Sequence, residues 1–225
     1  MIINMLQEFT LIVFLLFSSS TGHVFRLGDC PEVEVMPNFK MDKFLGKWFV
    51  LQKFRTMSNC MVEEISKDDQ GDYHISEYLA PLGFEIHQQG KVEISPNNSK
   101  SMMRIDYPIT SPLGHQNYWI IDTDYKSFAA VWSCQKLLFG HRQSAQIMSR
   151  TTDLPLDKIR QLRQQFESFG INQHDLSFID QKNCNLNNQT KRSDEIDCDR
   201  PPIKSSNLAI KLGPVHILTK RRRRR

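Results

Sequence analysis

The residues able to do chemistry are scattered in this sequence and form no recognisable reaction centre. A hydrolase needs a nucleophile, a base and a group that orients the base. The chain has seven histidines. Five of them, His74, His87, His115, His141 and His174, fall in no ligand-spaced cluster. No Gly-x-Ser-x-Gly elbow, Gly-rich phosphate loop or His-Glu-x-x-His is present. The reading is of a non-enzyme with no metal and no cofactor. The five cysteines, Cys30, Cys60, Cys134, Cys184 and Cys198, include no Cys-x-x-Cys pair. That argues against zinc and thioredoxin-type redox chemistry. Two disulfides and one odd cysteine fit better, and five cysteines allow 15 such pairings.

A different constellation stands out. Gly46-Lys47-Trp48 opens an apolar run. Thr123-Asp124-Tyr125 lies in a turn between two apolar runs. Ser149-Arg150 ends another. Together a glycine, an indole, a turn acid and an arginine can close one end of a barrel. Glycine permits close approach, and a guanidinium can stack on the indole and cap nearby carbonyls.

The elements that would position these residues are mostly strands. Trp48–Phe54, Tyr73–Leu79, Phe84–Ile94, Met103–Tyr107, Tyr118–Ile121, Phe128–Trp132 and Gln146–Ser149 are rich in strand formers, with turn residues between them. About eight short strands at this spacing imply a sandwich or an up-and-down barrel. One helix follows. Ile159, Leu162, Phe166 and Phe169 form a single apolar stripe between Pro155 and Gly170, and the stripe is expected to pack on the outside of the sheet. Leu176–Ile179 reads as a last short strand.

The ends are of another character. Leu11–Phe17 followed by small residues reads as a secretory leader over 1–22, too short to span a bilayer. Asn97 and Asn188 head glycosylation triplets. Residues 185–225 carry eleven Lys and Arg against four acids, so the body of this chain of net charge +4 is slightly acidic. The basic charge covers no folded face, and no nucleic-acid partner is expected. Residues 185–225 read as a flexible basic tail. Arg221–Arg225 is a candidate contact for a membrane surface or a glycosaminoglycan, or a processing site, or a plain extension. Cys198 is left as a candidate disulfide partner for another chain. Apolar content of 40% and 14 Phe are enough for a sizeable core and exclude a wholly disordered chain.

In order and spacing, Lys43–Phe49, Tyr118–Tyr125 with Ala130–Cys134, and Ile147–Arg150 with Leu154-Pro155 resemble the three sequence blocks of the lipocalins. Cys30-Pro31 and Asp180–Cys184 are similar to the entry and closing segments of the apolipoprotein D and Lazarillo branch. The resemblance implies an all-β fold over 23–184: an eight-stranded antiparallel up-and-down barrel with one C-terminal helix packed outside. It implies disulfides Cys30–Cys134 and Cys60–Cys184. Gly46, Trp48, Thr123, Asp124, Tyr125 and Arg150 then become structural residues closing the barrel base.

It also implies a secreted carrier that reversibly binds a small hydrophobic ligand, such as a retinoid, fatty acid, sterol or bilin. Alternating strand residues would line its cavity: Ile75, Glu77, Met103, Ile105, Tyr107, Tyr118, Phe128 and Trp132. Tyr118 and Glu77 are the candidate polar handles. The alternative is a lipid-modifying or antioxidant, stress-protective lipocalin acting at cell surfaces, with the nine methionines as the oxidant sink.

Overall fold

The structure is a computed structural model and describes residues 22–56, 58–81, 85–94, 99–108, 115–182 and 184. Residues 1–21 of the leader, the tail with Cys198 and Arg221–Arg225, and both acceptor asparagines, Asn97 and Asn188, lie outside the described residues.

Among the described residues the order is β1 (Val24–Leu27), α1 (Met41–Phe44), β2 (Gly46–Phe54), β3 (Ser58–Lys67), β4 (Tyr73–Pro81), β5 (Ile86–Ile94), β6 (Met102–Asp106), β7 (Gln116–Thr123), β8 (Phe128–Leu137), β9 (Gly140–Ser149), α2 (Leu156–Ser168) and β10 (Leu176–Phe178). Each strand from β2 to β9 pairs with the next in antiparallel fashion, and β9 returns to pair with β2. The eight strands therefore close into an up-and-down barrel, which leaves no edge unpaired along the seam. The seam splays at one end. There β1 adds to the first half of β9 and β10 adds to the last three residues of β2, Gln52 to Phe54. Strand β3 went unread in the sequence. Its run Glu63-Glu64 masks the apolar face carried by Met61 and Ile65, both buried.

Two apolar clusters divide the core. One fills the barrel and includes Trp48, Val50, Met61, Ile65, Ile75, Met103, Ile105, Tyr118, Ile120 and Met148. The other lies between the barrel wall and α2 and includes Phe54, Ile121, Phe128, Trp132, Ile147, Ile159, Leu162 and Phe166. Helix α2 follows directly from its stripe. Ile159, Leu162 and Phe166 are buried, and each such side chain contributes about 1.5–3 kcal/mol. Pro155 sits at the N-cap, one position before the first helical residue. Gly170 takes φ +74° after the helix, a conformation that favours glycine.

Two disulfides, Cys30–Cys134 and Cys60–Cys184, tie the N-terminal arm to β8 and β3 to the closing segment. Asp175, only 3% exposed, joins the same region by accepting Arg26 at 2.5 Å and Arg55 at 2.7 Å. Attachment of β1 depends on Gly140. A Cβ there would stand 2.2 Å from the carbonyl oxygen of Arg26. Gly140→Ala is expected to push β1 off β9 and cost about 1–3 kcal/mol. Hydrogen exchange would show it: the amides of Val24–Leu27 lose protection while those of β4–β6 keep theirs.

Candidate functional site

The base of the barrel is built around Trp48. Gly46 has φ +94°, and the turn that follows α1 delivers the indole to the barrel axis. Trp48 is fully buried, and its Nε1 donates to the Phe44 carbonyl at 2.9 Å. The guanidinium of Arg150 lies 3.6 Å from the ring centre. Its Nη1 donates to Lys47 O at 2.9 Å, its Nη2 to Leu45 O at 2.9 Å and its Nε to Tyr125 O at 3.2 Å. The arginine thus satisfies carbonyls left over where β2 begins. Asp124 orders the β7–β8 turn. Its Oδ1 accepts the backbone N–H of Lys126, Ser127 and Phe128, and Ser127 Oγ donates to its other oxygen. Burial alone would raise this carboxyl, but the donors from Ser127 and the backbone hold it down at about 2. Thr123 Oγ1 donates to Phe128 O at 2.6 Å and accepts from Tyr125 N. The tyrosine ring stacks on Phe39, 5.8 Å centre to centre. These six residues meet at one end of the barrel.

The interior above this floor is not purely apolar. Alternation along the strands, broken in β2 by a register shift between Val50 and Gln52, sends Lys53 of β2, Glu63 of β3, Glu77 of β4, Gln88 of β5, Tyr118 of β7 and Gln146 of β9 inward, at about the same level. Lys53 Nζ lies 3.1 Å from Glu77 Oε1, both side chains more than nine-tenths buried. Gln88 Nε2 donates to the other oxygen of Glu77. Tyr118 OH donates to Glu63 Oε2 at 2.6 Å, and Gln146 Nε2 to Glu63 Oε1 at 2.8 Å.

Burial pushes the Glu63 carboxyl up, and neighbouring Glu77 adds to the rise against the pull of Lys53. Burial also acts to raise Glu77, but Lys53 and Gln88 outweigh it and hold that carboxyl below its usual range. Both Tyr107 and Tyr118 are raised well above 10 by burial, with the two glutamates nearby.

Of the eight expected lining residues, Ile75, Met103, Ile105, Tyr107 and Tyr118 belong to the interior cluster, and Glu77 joins them through the polar network. Phe128 and Trp132 do not. They face outward beneath α2, with Lys158 Nζ 4.4 Å from the Phe128 ring centre and Trp132 Nε1 bonded to Gln143. The reason is phase. Ala129 and Val131 point inward instead, and the run Phe128-Ala-Ala-Val-Trp132 is apolar on both faces because the helix covers the outer one. Lys53, Glu63 and Gln146 went unseen in the sequence. The available signal was a lysine inside the apolar run Trp48–Phe54.

Glu63 gives a pH test. The groups facing it are Lys53, Glu77, Tyr107, Tyr118 and Gln146, with His23 close to Glu77. Below the usual Glu value of 4.5 the carboxyl is protonated in folded and unfolded chains alike. Above it the unfolded chain ionises freely while the folded one resists, so stability falls as pH rises towards the raised value. Glu63→Gln is therefore expected to melt higher than wild type at neutral pH and level with it below the usual carboxylate range. A Tm gain independent of pH would contradict this.

An eight-stranded barrel closed at one end by a stacked Trp–Arg pair, with a mixed apolar and polar interior, defines the class of small-ligand barrels. The sequence profile of the Lipocalin / cytosolic fatty-acid binding protein family matches residues 45–183, and the chain belongs to that family. It is 29% identical over 175 residues to apolipoprotein D of Mus musculus, a match covering 75% of this chain and 91% of the relative. Apolipoprotein D of Rattus norvegicus is 30% identical over 174 residues, with the same coverage. Among solved structures, lobster apocrustacyanin A1 superposes with a TM-score of 0.63 at 20% identity, covering 74% of this chain and 97% of the other. Insecticyanin from Manduca sexta superposes with 0.59 at 19% identity, covering 70% and 88%.

Proposed function

We propose that this lipocalin is a secreted carrier that reversibly encloses a small hydrophobic molecule, of the size of a retinoid, fatty acid, sterol or bilin, inside its barrel. The observation that carries the reading is the interior itself. Apolar side chains from every barrel strand surround one buried polar level, and such a chamber can hold an apolar body and orient a polar end. Burial supplies the affinity, at about 25 cal/mol per Å2 of apolar surface removed from water. Met61, Met103 and Met148 are buried in the chamber, and methionine side chains re-pack readily around guests of different shape.

The barrel performs no chemistry in this reading. Cys30, Cys60, Cys134 and Cys184 are held in disulfides, which removes them as nucleophiles. The antioxidant alternative gains nothing from Met61, Met103 and Met148, which are buried and out of reach of oxidants in solution. The apolar run Leu11–Phe17 and the two disulfides support passage through an oxidising, secretory compartment.

Titration of the mature protein with retinoic acid, arachidonic acid, a sterol and biliverdin tests the reading. Saturable, one-site quenching of tryptophan emission at about micromolar Kd is expected from at least one of them. An absence of saturable binding by all four would overturn it.

A further inference from the structure

The polar level inside the barrel holds two carboxylates, Glu63 and Glu77, against one ammonium, Lys53. Lys53 contacts Glu77, which also receives Gln88. Glu63 receives only neutral donors, the Tyr118 hydroxyl and the Gln146 amide. One buried acid thus lacks a cation of its own, and burial is costly to a carboxylate without one.

A second observation points to the same place. Tyr118 and Gln146 line a cavity of about 10 Å3, together with Gln116, Ser133 and Ser144. That is room for one water-sized group. Ser144 donates at 2.5 Å to the carbonyl oxygen of Gly22, the last residue of the segment read as leader. Ser133 is 7% exposed and pairs with Ser144 across β8–β9, so its side chain shares the inward face of Val131. Its hydroxyl makes no hydrogen bond among the described residues and its residue lines the cavity. The cavity therefore offers a free hydroxyl and two groups already polarised by Glu63.

We infer that this cavity is the head-group site of the ligand, and that it takes a protonated amine carried on an apolar body. This rests on the carrier reading above and narrows it. An ammonium fits a water-sized space, donates three hydrogen bonds and brings positive charge beside Tyr118 and Gln146, the two groups that bond Glu63. A carboxylate head would bring a further negative charge beside Glu77 and beside a Glu63 carboxyl whose ionisation burial already opposes, in a low-dielectric interior. The apolar body would occupy the space now filled by Met61, Met103 and Met148.

Three probes with one C18 chain and different heads separate the possibilities: oleylamine, oleyl alcohol and oleic acid, each displacing neutral Nile red from the full-length protein. The amine is expected to bind about 10-fold or more tighter than the acid, with the alcohol between them. Glu63→Gln is expected to erase most of the amine-over-acid preference. Ser133→Ala removes a buried hydroxyl without opening a packing defect, and is expected to lower amine affinity several-fold. Acid binding as tightly as the amine overturns the head-group assignment and leaves the carrier standing. So does an amine preference that survives both substitutions. Displacement by none of the three overturns the carrier reading, and this inference with it.

Discussion

Lys53→Met is expected to lower stability by about 3–5 kcal/mol at neutral pH, because it removes the ammonium paired with Glu77 from a buried level that also holds Glu63. Lys53 and Glu77 are each more than nine-tenths buried and 3.1 Å apart. Without the ammonium, burial pushes the Glu77 carboxyl up, where Lys53 had held it down. The sign of the pH dependence follows. In wild type the lowered carboxyl stabilises the fold above its usual range, and that contribution is lost as pH falls through the folded value. The variant has little of this contribution to lose, so the gap between the two proteins narrows in acid. Urea unfolding at pH 7 and about pH 4 would show a large gap and a small one. An equal gap at both would mean that the methylene stem, not the charge, is what the barrel needs. Lys53→Met with Glu77→Gln should regain most of the loss, since it leaves no unpaired charge on Glu77.

The second large effect lies at the other end of the chamber. Trp48→Ala is expected to cost about 3–5 kcal/mol, the range for emptying a buried aromatic site. The indole is fully buried between Phe44, 4.8 Å away, and Arg150. Much of the floor goes with it, because Arg150 then lacks the surface that fixes its fork over the carbonyls of Leu45 and Lys47. A double-mutant cycle with Arg150→Met should return a coupling of about 0.5–2 kcal/mol. Additive losses would show that the stacked geometry contributes nothing beyond packing.

How much of this was readable beforehand differs by element. Helix α2 was legible because one stripe, Ile159, Leu162 and Phe166, meets one surface and the opposite face is polar. The barrel was legible from turn spacing together with the three blocks. The inward direction of side chains on β4 and β6 was legible because Ile75 with Glu77, and Met103 with Ile105, alternate with polar neighbours. Strand β8 defeated the same logic, since α2 makes its outer face apolar too and Phe128 and Trp132 look no different from Val131. Bulges hid more. The register shifts between Val50 and Gln52, between Asn59 and Val62 and between Ile120 and Asp122. A shift at Leu51 turns Lys53 inward, and no alternation counted from Trp48 reveals it. The polar level is built from residues on six strands, each single on its strand, so no local motif announces it.

The two disulfides interlock along the chain: Cys30 joins Cys134 across Cys60, and Cys60 joins Cys184 across Cys134. Of these four cysteines the ribosome releases Cys30 and Cys60 first and Cys184 last. The earliest bond the nascent chain can close is therefore a wrong one, between two cysteines that part company in the finished barrel. Correct pairing then depends on thiol exchange after most of the barrel strands have emerged. Productive yield of this protein is thus set by the isomerase capacity and redox buffer of the host as much as by its sequence, and a chain truncated before Cys184 would leave Cys60 as a reactive thiol on an otherwise assembled sheet.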